Sequence, residues 1–283
     1  MLRSDSDRLV ASDYRFLGDV PGVKMATALS PPALSDETRA ELLELIKGAD
    51  SVELKLTVPV ADRTRGAAEL GVDPLDGQIR QVYFFDTPDL TLNKQGLVVR
   101  ARRIQRKRDD SVVKLRPVVP DTLPKELRAS PSFGVEVDAM PGGFVCSGSM
   151  KHVLGTSAVK DAVAEKRAVR KLFSKEQRSL YAAHAPEGLE LDDLSILGPI
   201  LVLKVKFAPH GFDRKLVAEL WLYPDNSMIL ELSTKCMPSE TFPVAAQARA
   251  YLAQRGVDVT SEQQTKTKKA LDYFSKRLRA ASP

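Results

Sequence analysis

The clearest pattern in the chain is a strict alternation of polar and apolar residues over residues 51–58, which read SVELKLTV. Successive side chains of a β-strand point to opposite faces, so Glu53, Lys55 and Thr57 share one face of this predicted strand and the apolar residues share the other. One face therefore carries both an acid and a base, and it meets either solvent or a charged ligand.

The same two-residue period predicts further strands, and helical spacing with capping residues predicts the helices between them. Strands are predicted over residues 79–86, 97–104, 111–117, 133–139, 200–207, 216–223 and 228–235. Helices are predicted over residues 35–48, 67–70, 89–95, 175–184, 239–255 and 262–279, with one more capped by Thr156 or Ser157. The glycine-containing segment 141–155 is predicted to be a loop.

Composition is typical of a globular protein and excludes several functional classes. Hydrophobic residues make up 43% and charged residues 28% of the 283 residues. No apolar run approaches the roughly 18 residues that span a bilayer, and residues 1–14 lack the apolar core of a secretory signal. Cys146 and Cys236 form neither a metal-binding spacing nor a disulfide framework, so we expect a cytoplasmic protein without membrane contact.

Two familiar kinds of site are missing from the sequence. The three histidines fit no Ser/His/Asp or HExxH arrangement, and no glycine-rich phosphate loop is present. If the protein binds phosphate, it must therefore use side chains. No linker divides the chain, so we predict a single domain over residues 35–279, preceded by a loosely ordered N-terminal extension over residues 1–34.

The polar positions of the predicted strands are charged almost throughout. Those positions are Lys55, Arg100, Arg102, Lys114, Arg116, Lys204, Lys206 and Lys235, with the acids Glu53, Glu136, Asp138, Glu219 and Glu231. A sheet with one solvated face would explain the charges of any single strand. A closed barrel of about eight antiparallel strands would instead enclose them in a lumen wide enough for one small ligand. Arg and Lys suit phosphate and carboxylates suit Mg²⁺ or Mn²⁺, so this interpretation predicts a polyphosphate ligand with a divalent metal.

Several segments resemble, in order, the motifs of the CYTH family, also called the triphosphate tunnel metalloenzymes. The matching segments are SVELK at 51–55, YFFDTPDL at 83–90, GLVVRAR at 96–102, KLR at 114–116, KVK at 204–206, ELS at 231–233 and TKTK at 265–268. The first resembles the ExExK signature of the family. YFFDTPDL and GLVVRAR are the most specific, because they resemble the family's YYDTPDxxL and G(I/L)xLRxR stretches. The resemblance spans about residues 50–275.

The resemblance implies an α+β fold built on an eight-stranded antiparallel β-barrel, the triphosphate tunnel, with flanking helices. It implies divalent-metal-dependent hydrolysis of inorganic tripolyphosphate or an organic triphosphate, with Mg²⁺ or Mn²⁺ as cofactor. The residues that would bind phosphate are Lys55, Arg100, Arg102, Lys114, Arg116, Lys204, Lys206, Lys235 and Lys266. Glu53, Glu136, Glu219 and Glu231 would hold the metal, and Glu53 and Lys55 would be the catalytic pair.

Three positions depart from the family pattern and leave other functions open. Ser51 and Ser233 each replace one Glu of an acidic pair, and Lys206 replaces an Arg. A non-catalytic module that binds polyphosphate or a nucleoside triphosphate is therefore the alternative, with adenylyl cyclase activity as a lesser one. Nucleic acid is not the expected partner, because the basic run over residues 102–108 ends in two aspartates and contains no aromatic residue.

Overall fold

The alternating segments, with one addition, close into a β-barrel. The computed structural model describes residues 36–260 and 263–281, and its sheet is a single closed barrel. The strands are β1 (Ser51–Val58), β2 (Gln78–Asp86), β3 (Leu97–Ile104), β4 (Asp110–Leu115), β5 (Phe133–Met140), β6 (Gly143–Val153), β7 (Ser195–Phe207), β8 (Leu216–Leu222) and β9 (Met228–Cys236). The prediction of a closed barrel is confirmed, with nine strands where eight were expected.

Strand order around the barrel is β1-β5-β6-β4-β3-β2-β7-β8-β9, and β9 pairs with β1 to close it. Every neighbouring pair is antiparallel except β1 and β5, which run parallel. Closure leaves no sheet edge exposed, so each strand has only an inner and an outer face. Whether the charged side chains point into the barrel or away from it therefore depends on which face of the strands is apolar.

Helices cover much of the outer face of the barrel and one of its ends. They are α1 (Asp36–Lys47), α2 (Arg63–Glu69), α3 (Thr91–Lys94), α4 (Lys125–Arg128), α5 (Ala158–Ala164), α6 (Lys175–Ala182), α7 (Thr241–Gln254) and α8 (Lys266–Ala281). Helix α6 begins after Ser174, whose hydroxyl accepts a hydrogen bond from the Gln177 amide and caps the helix. Within the described residues, no helix combines the length and the apolar character needed to cross a membrane.

Most apolar residues of β1 and β3 point outward and pack beneath these helices. Leu97, Val99 and Ala101 of β3 are buried in one cluster with residues of α1, α5 and α6. Leu56 and Val58 of β1 lie in a second cluster that includes residues of α7. Burial of this outer face leaves the charged residues that alternate with it directed into the barrel.

Helix α8 closes one end of the barrel from within. Its apolar residues Ala270, Leu271 and Phe274 are buried against inward-facing side chains of the wall, among them Val82 and Ile200. The sequence predicted this helix but gave no indication of its position. Its packing inside the barrel turns the predicted tunnel into a lumen with one blind end.

The segment over residues 141–155 was predicted as a loop, and this prediction is wrong. Most of the segment forms β6, in which Cys146 and Met150 point outward into the main core. Gly148 lies between them, and a Cβ atom there would come within 2.5 Å of the Phe133 ring on the neighbouring strand. The glycine therefore makes room for an aromatic ring and does not mark a turn.

Two predictions fall outside the part of the chain that the structure describes. The loosely ordered extension over residues 1–34 lies outside the described residues, as does the predicted helix cap at Ser35. The division into an extension and a domain over residues 35–279 stays a prediction.

Substituting Gly148 should test the close packing of β6 against Phe133. We expect Gly148→Ala to lower the free energy of unfolding by about 1–3 kcal/mol, because the added methyl group overpacks a filled site. Urea denaturation followed by far-UV circular dichroism measures the change. Gly134→Ala is the control, since its Cβ would meet only Asp50 Oδ2 at 3.6 Å, an ordinary contact. An equal loss in both variants would contradict the explanation.

Candidate functional site

Strand pairing places the predicted site residues inside the barrel. Glu53 of β1 lies opposite Asp138 of β5 on one side and Lys235 of β9 on the other, and side chains of directly paired residues share a face. The predicted residues on the inner face are Glu53, Lys55, Arg100, Arg102, Lys114, Glu136, Lys204, Lys206, Glu219, Glu231 and Lys235. Arg116 and Lys266 also reach it through ion pairs. The structure thus gathers the whole predicted set around one lumen.

Three charged residues of the inner face were missed by the sequence reasoning. They are Arg80 of β2, Asp110 of β4 and Lys151 of β6. Arg80 follows the alternation of β2, but the other inner positions of that strand are apolar, which concealed it. Asp110 lies one residue before the predicted start of its strand, and Lys151 lies in the segment predicted as a loop. Extending each alternation to its end would have found the first two.

Three carboxylates form an acidic cluster on β1 and β5. One oxygen from each of Glu53, Glu136 and Asp138 lies within 4.8 Å of the others. The Lys55 ammonium is 3.2 Å from Glu53 Oε2 and 2.7 Å from Asp138 Oδ1. Lys235, at the end of β9, makes an ion pair with Glu136. Hard oxygen donors at this spacing suit Mg²⁺ or Mn²⁺, so the cluster can hold a divalent ion once a ligand draws the lysines away.

Asp138 is the most deeply buried member of the cluster, with no exposed surface. Besides Lys55, it faces Lys114 Nζ at 3.6 Å and Arg116 Nη1 at 3.5 Å. Burial alone would raise the pKa of Asp138, but the three cations outweigh it and hold the pKa well below its ordinary value. Asp138 is therefore ionised, and the arrangement of the surrounding cations depends on its charge.

Burial and neighbouring charges also shift the pKa values of the two lysines beside Asp138. Burial lowers the pKa of Lys114 to about 8, because Asp138 offsets only part of that effect and Arg116 and Lys55 add to it. Burial likewise lowers the pKa of Lys55, but the attraction of Asp138 and Glu53 is stronger, so its net pKa is raised. Lys55 is thus held as a cation, whereas Lys114 loses its proton more readily than an ordinary lysine.

Ser51 and Ser233 lie beside the acidic cluster and hydrogen-bond to it. The Ser233 hydroxyl donates to Glu53 Oε1 at 3.0 Å, and the Ser51 hydroxyl donates to Glu136 Oε2 at 3.4 Å. Each serine therefore orients a carboxylate of the cluster instead of adding one. Ser51 and Ser233 therefore belong to the same site as the acidic cluster, but each lacks the negative charge that a Glu would bring there.

A second acidic group lies on β8 and β9, and β9 is the neighbour of β1 in the wall. Lys266 Nζ, at the first residue of α8, is 2.7 Å from both Glu219 Oε2 and Glu231 Oε1. Lys204 of β7 is 2.6 Å from Glu219 Oε1. Burial would raise the pKa of Glu219, but these two lysines outweigh it and hold the pKa well below its usual range. The four carboxylates predicted as metal ligands are thus divided between two groups. In the group of Glu219 and Glu231, the side-chain ammonium groups of Lys204 and Lys266 lie where a metal ion would bind.

Arginines of β2 and β3 form the most cationic part of the wall. Arg102 makes a bidentate ion pair with Asp110, with N···O distances of 2.7 and 2.6 Å. Arg80 donates hydrogen bonds to the neutral side chain of Gln78. Among the described residues, the buried Nε of Arg100 has no hydrogen-bond partner. Burial, with repulsion from Arg102, lowers the pKa of Arg100 to about 10. A buried guanidinium nitrogen without a hydrogen-bond partner is a group that an anion can satisfy.

Removing the charge of Asp138 should destabilise the protein strongly. We expect Asp138→Asn to lower the free energy of unfolding by about 3–5 kcal/mol, because Lys55, Lys114 and Arg116 would face one another without their shared anion. Denaturation by urea measures the loss. Asp76→Asn, at an exposed position, should change stability by less than about 0.5 kcal/mol. A loss below about 1 kcal/mol in Asp138→Asn would contradict the central role of this ion cluster.

The lowered pKa of Glu219 predicts a specific loss of stability in acid. Its contribution is fully present above its unfolded-state pKa, about 4.3, and decreases as the pH falls toward the lower folded-state value. The stability difference between the unaltered protein and Glu219→Gln should therefore be largest near neutral pH and shrink below about pH 4. Urea titrations across this range, in the presence of a chelator, test the prediction. The exposed control Glu126→Gln should show a small difference that does not vary with pH.

Solved structures of other proteins share this fold. A candidate adenylate cyclase from Bacillus halodurans aligns with a TM-score of 0.54 at 14% identity, over 78% of this chain and 97% of that one. A candidate adenylyl cyclase from Hippeastrum, for which a dominant triphosphatase activity is stated, aligns with a TM-score of 0.59 at 14% identity, over 78% and 95% of the two chains. No protein-family model and no curated protein matches the chain by sequence.

At this identity the likeness concerns the fold. It agrees with the closure of the sheet into a barrel. The chain therefore has the fold of the CYTH-type triphosphate tunnel.

Proposed function

We propose that this protein binds a triphosphate in the lumen of the barrel and hydrolyses it in a reaction that requires a divalent metal. The observation that supports the proposal is that one lumen contains both a site for an anion and a site for a cation. Arg100, with its buried and unpartnered Nε, and its neighbours on β3 offer an anion site, and the cluster of Glu53, Glu136 and Asp138 offers a cation site. A triphosphate complexed with a divalent ion is the small ligand that uses both.

The phosphate-binding role is assigned to cations of β3 and of the end of β4. The Nε of Arg100 is buried without a hydrogen-bond partner among the described residues and is free to bind a phosphate oxygen. Arg102, Lys114 and Arg116 would share their charge between phosphate and the acids Asp110 and Asp138. Lys204 approaches from β7 on another part of the wall. Cations from several sides would enclose the transferred group and stabilise negative charge on its oxygens as the bond to it breaks.

The metal would be held by Glu53, Glu136 and Asp138. When bound, a divalent ion of this kind neutralises phosphate charge and lowers the pKa of a coordinated water. Ser233 and Ser51 keep Glu53 and Glu136 oriented through their hydroxyl groups. Lys55 contacts Glu53 and Asp138 within this cluster, so its ammonium group would exchange a carboxylate partner for a phosphate oxygen when substrate enters.

A non-catalytic triphosphate-binding module is the second candidate. The observation that favours it is the Lys55 ammonium, which already lies between two of the three carboxylates. If Lys55 keeps this place when a ligand is bound, the site has anion-binding groups but no divalent ion. Adenylyl cyclase activity is a third candidate, supported only by the names of the two structures with the same fold.

A metal-dependent phosphate-release screen tests the proposal. Tripolyphosphate, thiamine triphosphate and ATP would be offered with Mg²⁺, with Mn²⁺ or with a chelator, and released phosphate measured over time. We expect release from at least one substrate with metal and none with chelator. Glu53→Gln should lower kcat by about 100-fold or more, because it weakens the group that holds metal and water. Glu187→Gln, exposed and outside the barrel, should leave kcat unchanged.

The remaining outcomes separate the candidates. Binding of tripolyphosphate without turnover, weakened about 10- to 100-fold in Arg100→Ala, would favour the binding module, since a hydrogen bond to a charged group contributes about 1.5–3 kcal/mol. Formation of cyclic AMP from ATP would favour the cyclase. Neither release nor binding of any triphosphate by the folded protein would refute all three.

A further inference from the structure

The described helices leave one part of the outer face of the barrel uncovered. There, cross-strand pairing on β2, β7, β8 and β9 aligns aliphatic side chains in two neighbouring rows. One row contains Ile79, Leu203, Leu220 and Leu230, and the other contains Leu201 and Leu222. Both rows alternate with lumen residues such as Lys204 and Glu219, so their side chains point away from the lumen.

These outward positions are more exposed than outward apolar positions elsewhere on the wall. Ile79 is 43% exposed and Leu201 is 44% exposed, and the other members of the two rows are partly exposed. By contrast, Leu56 of β1 and Val99 of β3 are buried beneath helices. Exposed aliphatic surface gains free energy when a complementary apolar surface covers it.

A further leucine is held in solvent beside these rows. Leu75, in the 3₁₀ turn Pro74–Asp76 that contacts β7, is 91% exposed. The Asp73 carboxylate accepts a hydrogen bond of 2.8 Å from the Leu75 amide. The turn also lies close against the sheet, because a Cβ atom at Gly77 would come within 2.2 Å of Leu203 Cδ1. An ordered turn therefore presents Leu75 next to the two rows, and we call these seven residues the apolar face.

The size of the apolar face matches the requirement of a dimer. The fractional exposures of its side chains correspond to roughly 400–500 Å² of apolar surface. A stable interface takes about 800 Å² from each partner, and about 65% of a homodimer interface is apolar. One side of such a dimer therefore needs about 500 Å² of apolar surface, and the apolar face supplies nearly all of it.

The chemistry of the apolar face fits an identical face. Its members are all aliphatic, so they offer nothing to a charged or strongly polar partner. The rim is polar and carries both signs, with Asp73 and Asp76 beside Leu75 and with Arg103 bonded to Gln81. Two copies of such a rim do not repel each other as two faces of a single sign would. Two sheets can then pack face to face with their strands aligned, about 10 Å apart.

We propose that the apolar face is the contact surface of a homodimer in which two barrels pack side by side through β2, β7, β8 and β9. A two-fold axis brings the same face of both chains together, which makes the interface isologous and closes the assembly at two copies. The interface uses only the outer side of the wall. Each lumen keeps its own charged residues, so the inference does not depend on the proposed function.

Sedimentation equilibrium of the full chain, with three variants, tests the dimer. Leu201→Glu places a carboxylate in the middle of the apolar face. Leu75→Ser removes an apolar side chain from an exposed turn, so it leaves the sheet unchanged. The control Leu43→Glu makes the same substitution as the first variant at a leucine that is 39% exposed on α1, away from the face. Urea denaturation of each variant shows whether it is folded.

We expect the unaltered protein to be a dimer at about 10 µM. Leu201→Glu should weaken dimerisation about 100-fold or more, because a carboxylate would be buried at the interface without a partner. Leu75→Ser should weaken it about 10-fold, through the loss of one buried leucine side chain. Leu43→Glu should dimerise like the unaltered protein.

Three results would overturn the inference. The first is a monomer at concentrations up to about 100 µM. If Leu201→Glu then lowers the free energy of unfolding much more than Leu43→Glu does, the cover of the apolar face belongs to the same chain, and residues 1–34 become the candidate. The second is a dimer whose dissociation constant changes in neither Leu201→Glu nor Leu75→Ser, which would place the interface elsewhere. The third is an assembly that grows beyond two copies.

Discussion

The buried carboxylate of Asp138 is the constraint on which the rest of the lumen depends. It has no exposed surface, and cations from β1, from β4 and from the residue after β4 converge on it. Without that anion, Lys55, Lys114 and Arg116 would repel one another in a space that they cannot leave. With it, they are held in a fixed arrangement before any ligand arrives. Such preorganisation is what electrostatic catalysis and tight anion binding both require.

Acids and arginines predominate on different strands of the wall. The cluster of Glu53, Glu136 and Asp138 lies on β1 and β5, with Lys55 and Lys235 paired to it. The arginines lie on β2 and β3, where Asp110 is the acid in direct contact. The Nε of Arg100 is buried there without a hydrogen-bond partner among the described residues. An anion and a cation thus have separate places within one lumen. This division, more than the total charge, distinguishes a metal–phosphate site from a solvated sheet face.

How much the sequence could predict depends on whether the information was local. The alternation over residues 51–58 predicted β1 with its observed bounds, and the charged faces of the other strands followed by the same rule. Segment 141–155 was wrongly predicted as a loop because glycines such as Gly148 are typical of turns. In the structure Gly148 instead leaves space for the Phe133 ring of a neighbouring strand. The closure order and the parallel pairing of β1 with β5 could not be read from any single segment, since both are set by contacts between distant strands.

Lys266 shows how a non-local contact changes the interpretation of the site. Sequence reasoning grouped Glu219 and Glu231 with Glu53 as metal ligands, because all are carboxylates at alternating positions. In the folded protein α8 carries the ammonium of Lys266 to both Glu219 and Glu231, and Lys204 adds a second positive charge. A divalent ion placed there would meet these ammonium groups, whereas the acids around Asp138 can release Lys55 to an incoming phosphate. The charge balance therefore favours one metal position over two, on the side of the lumen formed by β1 and β5.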